Sequence, residues 1–165
     1  AGPIGLSIAF WLHHFGFSVT VVDVREYSLQ IARNMGLPSA IPFDQTANRK
    51  WDYLFEASGA PAVLTRAVAC AKPKAVITLL GRGGSDTVIP HATFEQLQRR
   101  ELTLKGCWGY NLKGEEAVMQ EGLAHFDPDC MVSHIVAPDA FSDQLWAMYE
   151  RRCDYCKVLL SFREV

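Results

Sequence analysis

The sequence predicts an α/β fold, a doubly wound Rossmann-type parallel sheet that lacks its first strand in this chain. Three observations predict it. Short β-branched runs alternate with helix-like segments along all 165 residues, an alternation typical of parallel sheets with right-handed crossovers. Glycines and prolines separate these segments. The chain also opens with a glycine turn that leads directly into a predicted helix, with no strand before it.

Helical spacing and β-branched runs predict the elements in order. Apolar residues recur at helical spacing from Ile4 to Phe15, and Gly16 is a typical helix end. The run over residues 18–23 predicts a buried strand. The same criteria predict the remaining elements: helix 26–35, strands 39–42 and 52–56, helix 61–71, strand 75–80, strand 86–90, helix 94–100, strand 102–107, helix 113–124, strand 131–136, helix 139–150 and strand 157–161.

Glycine and proline positions set several of these boundaries. Gly36 is expected to end the second helix, whereas Pro61 suits a first helical turn, where its missing N–H costs nothing. The segment Gly81–Gly84 follows the most strand-like stretch of the chain. Pro90 cannot donate a hydrogen bond to a neighbouring strand, so residues 86–90 are predicted to form an edge strand.

Composition excludes several function classes. A formal net charge of −2 gives no reason to expect a nucleic acid or an anionic membrane surface as a partner. No apolar run approaches the roughly 20 residues that span a bilayer. The five cysteines are odd in number and widely scattered, which argues against a disulfide framework and favours a reducing, cytoplasmic location.

The opening stretch AGPIGL has the spacing of a dinucleotide-binding turn. Gly2 and Gly5 match the second and third glycines of that fingerprint, and the first glycine would be the residue before Ala1. The amino terminus of the following helix would then direct free N–H groups at a pyrophosphate. Two glycines alone are also compatible with a glycine-rich start that has no such function.

Asp23 strengthens this interpretation. It ends the next predicted strand, 18 residues after Gly5, close to the roughly 20 residues expected for the acidic group that binds the ribose hydroxyls. A carboxylate there repels a 2′-phosphate and favours NAD, whereas Arg25 would suit the phosphate of NADP. The alternative without function is that Asp23 caps the following helix.

Six stretches, in order along the chain, carry a resemblance to a known family: AGPIGL, TVVDVREYSLQIARNMG, DYLFEASGAP, ITLLGRGG, ELTLKGCWGY and CKVLLSF. The chain resembles the carboxyl-terminal half of the medium-chain, zinc-dependent alcohol dehydrogenases, in the branch that includes sorbitol, threonine and sugar-alcohol-phosphate dehydrogenases. The resemblance implies an NAD-binding domain over residues 1–125, incomplete at its amino terminus. It implies that residues 126–165 form a tail that packs on a missing catalytic domain.

The resemblance also assigns cofactor-binding roles to individual positions. The pyrophosphate turn would comprise Gly2, Pro3, Ile4 and Gly5, and Asp23 would hold the adenosine ribose. Ser58 and Gly59 would border the adenine side, and backbone groups around Leu80, Gly81, Cys107 and Trp108 would flank the nicotinamide. Lys157 would reach the pyrophosphate, although a solvated lysine at a strand end is an equally good interpretation.

No catalytic residue and no metal ligand is predicted within this chain. In the family that it resembles, an amino-terminal domain supplies the catalytic zinc ligands and the proton relay. Cys153 and Cys156 form a C-x-x-C pair, but a structural zinc usually needs a second pair. The chain is therefore expected to be a fragment that is inactive alone and binds NAD weakly or not at all.

The predicted function is the NAD-binding part of an oxidoreductase that transfers a hydride between a polyol or sugar alcohol and NAD. Zinc would belong to the full-length enzyme, which would form a homodimer or a dimer-based tetramer through the edge strand 86–90. Two alternatives remain open: a zinc-free NAD(P)H reductase of enones or quinones from the same superfamily, and a nucleotide-sensing module without chemistry of its own.

Overall fold

The computed structural model describes residues 1–84, 86–109 and 115–162. Within these ranges, helices and strands alternate over most of the chain. The helices are α1 (Pro3–His14), α2 (Glu26–Asn34), α3 (Pro61–Cys70), α4 (His91–Arg99), α5 (Glu116–His125) and α6 (Phe141–Tyr149). The strands are β1 (Val21–Asp23), β2 (Ala40–Pro42), β3 (Trp51–Glu56), β4 (Ala71–Leu79), β5 (Thr103–Gly106), β6 (Val132–Val136) and β7 (Lys157–Leu160). Short 3-10 helices cover Phe43–Thr46, Pro128–Met131 and Pro138–Ala140.

All pairs of neighbouring strands in the described ranges are parallel. β1 pairs with β2, β3 and β5 both pair with β4, and β6 pairs with β7. β1 and β3 each pair with one described strand. The α/β class with parallel strands is therefore confirmed.

The chain divides into two compact units. The first unit contains Ala1–Pro42 together with the chain from Glu116 onward, and the second contains Phe43–Glu115. The prediction that places a boundary between residues 125 and 126 stays a prediction.

Each unit has its own apolar core. In the first unit, Leu6 of α1 and Ala32 of α2 are fully buried beside Val21 of β1. In the second, Val68 of α3 and Ile77 of β4 are buried in the same way. The predicted apolar faces of these helices and strands therefore form the cores that hold the strand ends in place.

Two predicted helix ends are confirmed by backbone conformation. Gly16 follows α1 with φ of 83° and Gly36 follows α2 with φ of 74°, in the left-handed region that favours glycine. The chain therefore leaves α1 at Gly16 and leads into β1, the strand that ends with Asp23.

Three predicted boundaries are wrong. β1 begins at Val21 rather than at residue 18, because only residues from Val21 onward pair with β2. β4 begins at Ala71 rather than at residue 75, with an irregular register against β3. Lys74 adopts a φ of 64° within it, and the Arg100 guanidinium donates to the carbonyls of Val68, Ala69 and Ala71. α4 begins at His91 rather than at residue 94, directly after Pro90, which takes the N-cap position.

Residues 86–90 form no strand within this chain, so the predicted edge strand has no support from intrachain pairing. Pairing of this segment with a second copy stays a prediction. Part of the predicted helix 113–124 lies outside the described residues, and α5 covers the rest. None of the helices in the described ranges combines the length and apolarity that crossing a membrane requires.

Candidate functional site

The glycine turn predicted to bind pyrophosphate forms the start of α1. Gly2 is the N-cap with φ of −82° and ψ of 177°, and Pro3 occupies the first helical turn. No side chain caps this end of the helix, and a Cβ placed on Gly2 would meet nothing within 4 Å. Ile4 and Gly5 follow within the first turn, whose N–H groups have no intrahelical partners. Such an end suits an anionic group.

Asp23 lies beside this turn, at the carboxyl end of β1. Its side chain is 16% exposed, and its Oδ2 accepts a hydrogen bond of 2.9 Å from the Ala1 nitrogen. Its Oδ1 accepts from the backbone N–H of Arg25, also at 2.9 Å. Burial raises the pKa of this carboxyl, whereas the Arg25 N–H and the Arg25 charge lower it. Both oxygens of Asp23 are therefore held by hydrogen bonds next to the glycine turn.

Arg25 is held by groups of its own unit. Its Nε lies 3.9 Å from Asp23 Oδ1, and its guanidinium donates to the Tyr155 carbonyl oxygen at 3.4 Å. The guanidinium carbon also lies 5.3 Å from the centroid of the Tyr155 ring. The arginine that would read the phosphate of NADP is thus engaged by a carboxylate and an aromatic ring.

Lys157 is exposed and begins β7, two residues after Tyr155. Because Tyr155 contacts Arg25, the segment that precedes Lys157 lies beside the Asp23 region. The contacts of the described residues do not distinguish a pyrophosphate-binding lysine from a solvated lysine at a strand end. The pyrophosphate role of Lys157 therefore stays a prediction.

In the second unit, the ends of three neighbouring strands are held together. The N–H groups of Leu80 and Gly81 donate to the Glu56 carbonyl oxygen at 2.8 and 2.9 Å. The N–H of Cys107 donates to the Leu79 carbonyl oxygen at 2.9 Å. The turns after β3, β4 and β5, where six of the predicted residues lie, therefore form one continuous edge.

Paired glycines allow two of these turns to approach each other closely. A Cβ on Gly81 would lie 2.0 Å from the Gly59 nitrogen, and a Cβ on Gly59 would lie 2.3 Å from the Arg82 carbonyl carbon. Gly59 also has a φ of 71°. The structure thus brings Ser58–Gly59 and Leu80–Gly81 into direct backbone contact.

Trp108 stands at the exposed end of this edge. Its side chain is 82% exposed, and the Arg82 guanidinium carbon lies 5.9 Å from the centroid of its ring. The cofactor roles assigned to Cys107 and Trp108 stay predictions.

Glu56 is a feature that the sequence analysis missed. It ends β3 and is 6% exposed, and its Oε1 accepts hydrogen bonds from Ser58 N, Ser58 Oγ and Gly59 N. The available signal was an acidic residue at the end of a predicted strand, followed by a glycine three residues later.

No group of three or more histidine, cysteine, aspartate or glutamate side chains among the described residues is arranged to hold a metal ion. Cys153 and Cys156 are free thiols, and the Gln144 amide nitrogen donates to Cys153 Sγ at 3.6 Å. The residues described here therefore do not fit the zinc that the resemblance implies for the full-length enzyme.

A cavity of about 240 Å³ in the first unit lies at the carboxyl ends of α1, α2 and α5 and is lined by Phe10, Met35 and His125 among others. The predicted cofactor residues do not line it. The glycine turn lies at the opposite end of α1, so this cavity is separate from the candidate site.

The chain is similar in sequence to known proteins. A family described as zinc-binding dehydrogenase matches residues 3–126. The L-threonine 3-dehydrogenase of Burkholderia ambifaria is 28% identical over 90% of this chain, which covers 46% of that relative. The chain thus spans about half the length of the curated relative.

Solved structures show the same fold. Galactitol-1-phosphate dehydrogenase from Escherichia coli superposes with a TM-score of 0.81 at 24% identity, over 96% of this chain and 51% of that one. A short chain alcohol dehydrogenase from Escherichia coli CFT073, in complex with NADH, gives a TM-score of 0.78 at 24% identity, over 98% and 50% of the two chains. With a family match that covers most of its length, this chain belongs to the zinc-binding dehydrogenase family.

Proposed function

We propose that this chain is the NAD-binding part of an oxidoreductase that transfers a hydride between a polyol or sugar alcohol and NAD. The observation that carries the proposal is the carboxylate of Asp23. It lies at the end of β1, hydrogen-bonded to the Ala1 nitrogen beside the uncapped glycine turn of α1. This pairing of an anion-binding helix end with a carboxylate suits a pyrophosphate next to a ribose diol.

The first unit would hold the adenosine and pyrophosphate groups. The N–H groups of Gly2, Ile4 and Gly5 at the start of α1 would donate to pyrophosphate oxygens, and Asp23 would accept from the ribose hydroxyls. A 2′-phosphate would meet the Asp23 charge, and Arg25 is already engaged with Asp23 and Tyr155. These contacts favour NAD over NADP.

The second unit would contribute the nicotinamide surface. Backbone groups of Leu80, Gly81 and Cys107 lie along the joined strand ends, and the exposed Trp108 ring continues that edge. When bound, the nicotinamide accepts or donates the hydride. The role of this chain is to bind and orient that ring.

The substrate class rests on the relatives. They include a threonine 3-dehydrogenase and a galactitol-1-phosphate dehydrogenase, and a structural neighbour was solved with NADH. Since this chain covers about half of each, the groups that bind the alcohol and the zinc are proposed to lie in a segment outside it.

The test is a turnover assay on the full-length protein that contains this chain. We expect NAD-dependent oxidation of polyols or sugar alcohols, and we expect removal of zinc by a chelator to abolish it. NADPH-dependent reduction of an enone by zinc-free protein would instead support the reductase alternative. Nucleotide binding without turnover of either substrate class would support the sensing module.

We also propose a homodimer, or a dimer-based tetramer, in a reducing cytoplasmic setting. The five free cysteines support such a setting, and residues 86–90 remain available for pairing because they form no strand within the chain. Light scattering of the full-length protein should give a dimeric or tetrameric mass, whereas a monomeric mass would contradict the proposal.

A further inference from the structure

Glu56 is a buried carboxylate with an unusual set of hydrogen bonds. One oxygen, Oε1, accepts from Ser58 N at 2.7 Å, Ser58 Oγ at 2.5 Å and Gly59 N at 2.9 Å. The described residues place no cationic side chain within ion-pair distance of it. A buried charge is costly unless it is hydrogen-bonded, and here the turn after β3 supplies these bonds.

The same residue fixes the turn after β4. Its carbonyl oxygen accepts from the N–H groups of Leu80 and Gly81, and its Oε2 lies 2.7 Å from the position that a Cβ on Gly81 would take. Glu56 therefore contacts both turns: its side chain accepts from the turn after β3, and its carbonyl oxygen accepts from the turn after β4.

This arrangement determines what the surface can bind. The N–H groups of residues 58, 59, 80 and 81 all donate to Glu56, so they are not available to a ligand phosphate. A group that fits such a surface is neutral or donates hydrogen bonds itself, as a carboxamide does. The carboxamide of nicotinamide and the amino group of adenine both have this chemistry, whereas the pyrophosphate does not. Ser58 and Gly59 are expected to border the adenine side and Leu80 and Gly81 to flank the nicotinamide, so the turn after β4 is the part that faces the nicotinamide end.

We propose that Glu56 is a positioning residue for the cofactor: by holding the turns after β3 and β4 together and consuming their N–H donors, it shapes the surface that receives the nicotinamide end. The inference rests on the proposed function, because it takes the ligand to be NAD. Glu56 acts through Ser58, Gly59, Leu80 and Gly81, not by touching the cofactor.

The experiment compares two substitutions in the full-length protein. Glu56→Gln keeps an oxygen at the Oε1 position and removes the charge, whereas Glu56→Asp keeps the charge and withdraws the oxygens by one methylene. NADH is titrated by its fluorescence, and kcat and KM for NAD are measured. Thermal unfolding of each variant checks folding, and Gly84→Ala, where a Cβ meets nothing within 4 Å, is the matched control.

We expect Glu56→Asp to weaken NADH binding and raise KM for NAD about tenfold, the scale of one lost hydrogen bond to a charged group, and Glu56→Gln to recover wild-type affinity within about threefold. Binding of wild-type strength in Glu56→Asp would overturn the proposal. So would an equal loss in Glu56→Gln, because an oxygen in the Oε1 position would then not be sufficient for binding. If wild-type protein binds no NADH, the proposed function itself fails.

Should Glu56→Asp not fold, Ser58→Ala decides. It removes the hydroxyl donor and leaves both turn N–H groups on Oε1. NADH affinity should then fall about twofold to fivefold, as expected for loss of one of three shared hydrogen bonds, with little change in the unfolding temperature. Unchanged affinity in a folded Ser58→Ala variant would overturn the proposal.

Discussion

Asp23 and Glu56 are both acidic residues that end a strand next to a glycine turn, but their surroundings differ. Asp23 is contacted by the Ala1 nitrogen and by the cationic Arg25 guanidinium, and its side chain keeps some exposure. Glu56 is almost completely buried and is contacted by neutral donors of its own turn.

The difference separates two uses of a carboxylate at a strand end. The Asp23 carboxylate is partly exposed, so it can accept from hydroxyl groups that arrive from solvent. The Oε1 atom of Glu56 already accepts three hydrogen bonds from its own turn. These hydrogen bonds stabilise the local structure of the turn. The first carboxylate is suited to contact a ligand and the second to shape the surface that a ligand meets.

The largest expected effect tests the close approach of the turns that Glu56 holds. Gly81→Ala would place a Cβ 2.0 Å from the Gly59 nitrogen and 2.6 Å from the Ser58 nitrogen. Because both neighbours are backbone atoms, the turns must separate, at a cost of about 1–3 kcal/mol in the free energy of unfolding. Denaturant titration should show this loss, together with weaker NADH binding.

Gly84→Ala is the control for that substitution, since its Cβ would meet nothing within 4 Å. We expect its free energy of unfolding to stay within about 0.5 kcal/mol of the wild-type value. Equal stability of the Gly81 and Gly84 variants would show that the two turns do not pack as described.

The second effect is the acid dependence of the stability of the chain of residues 1–165, whose Ala1 amine is free. There the pKa of Asp23 is below its ordinary value because burial is outweighed by that amine, the Arg25 N–H and the Arg25 charge. The native state therefore binds this proton less readily than the unfolded state, for which the pKa is about 3.9. The stabilisation is fully present above that pKa and is lost as the pH falls through the lower folded value.

Asp23→Asn should remove this dependence. We expect wild-type protein to lose more stability than the variant between about pH 5 and pH 3, measured as the denaturant midpoint at each pH. Identical acid dependence in the two proteins would show that Asp23 does not contribute.

The smallest effect should come from Arg25→Met. Its guanidinium is engaged with Asp23 and Tyr155, so we expect NADH affinity to change by less than about threefold, in line with a partly exposed ion pair. The decisive comparison is with NADPH. A loss confined to NADPH would mean that Arg25 binds a 2′-phosphate, against our assignment.

Local signals were sufficient to predict the parallel α/β class, the helix ends at Gly16 and Gly36, and Asp23 at a strand end. Each depends on a residue and its near neighbours in sequence. The early start of β4 was not predictable in this way, because the carbonyls at its beginning are bound by Arg100, about thirty residues later in the chain.

The role of Glu56 was missed for a related reason. Its hydrogen bonds to Ser58 and Gly59 are local, but its burial depends on the approach of Gly81, which the sequence does not reveal. Asp23 and Glu56 are both acidic residues at the end of a predicted strand. Only Asp23 was given a role, because only its spacing to the glycine turn matches a dinucleotide-binding fingerprint.

The central claim is that Asp23 makes this chain part of an NAD site. The most direct test titrates the full-length protein and its Asp23→Asn variant with NADH and with NADPH by fluorescence. We predict that wild-type protein binds NADH at least about tenfold more tightly than NADPH, and that Asp23→Asn reduces this ratio. Equal or tighter binding of NADPH by wild-type protein, or an unchanged ratio in the variant, would contradict the account.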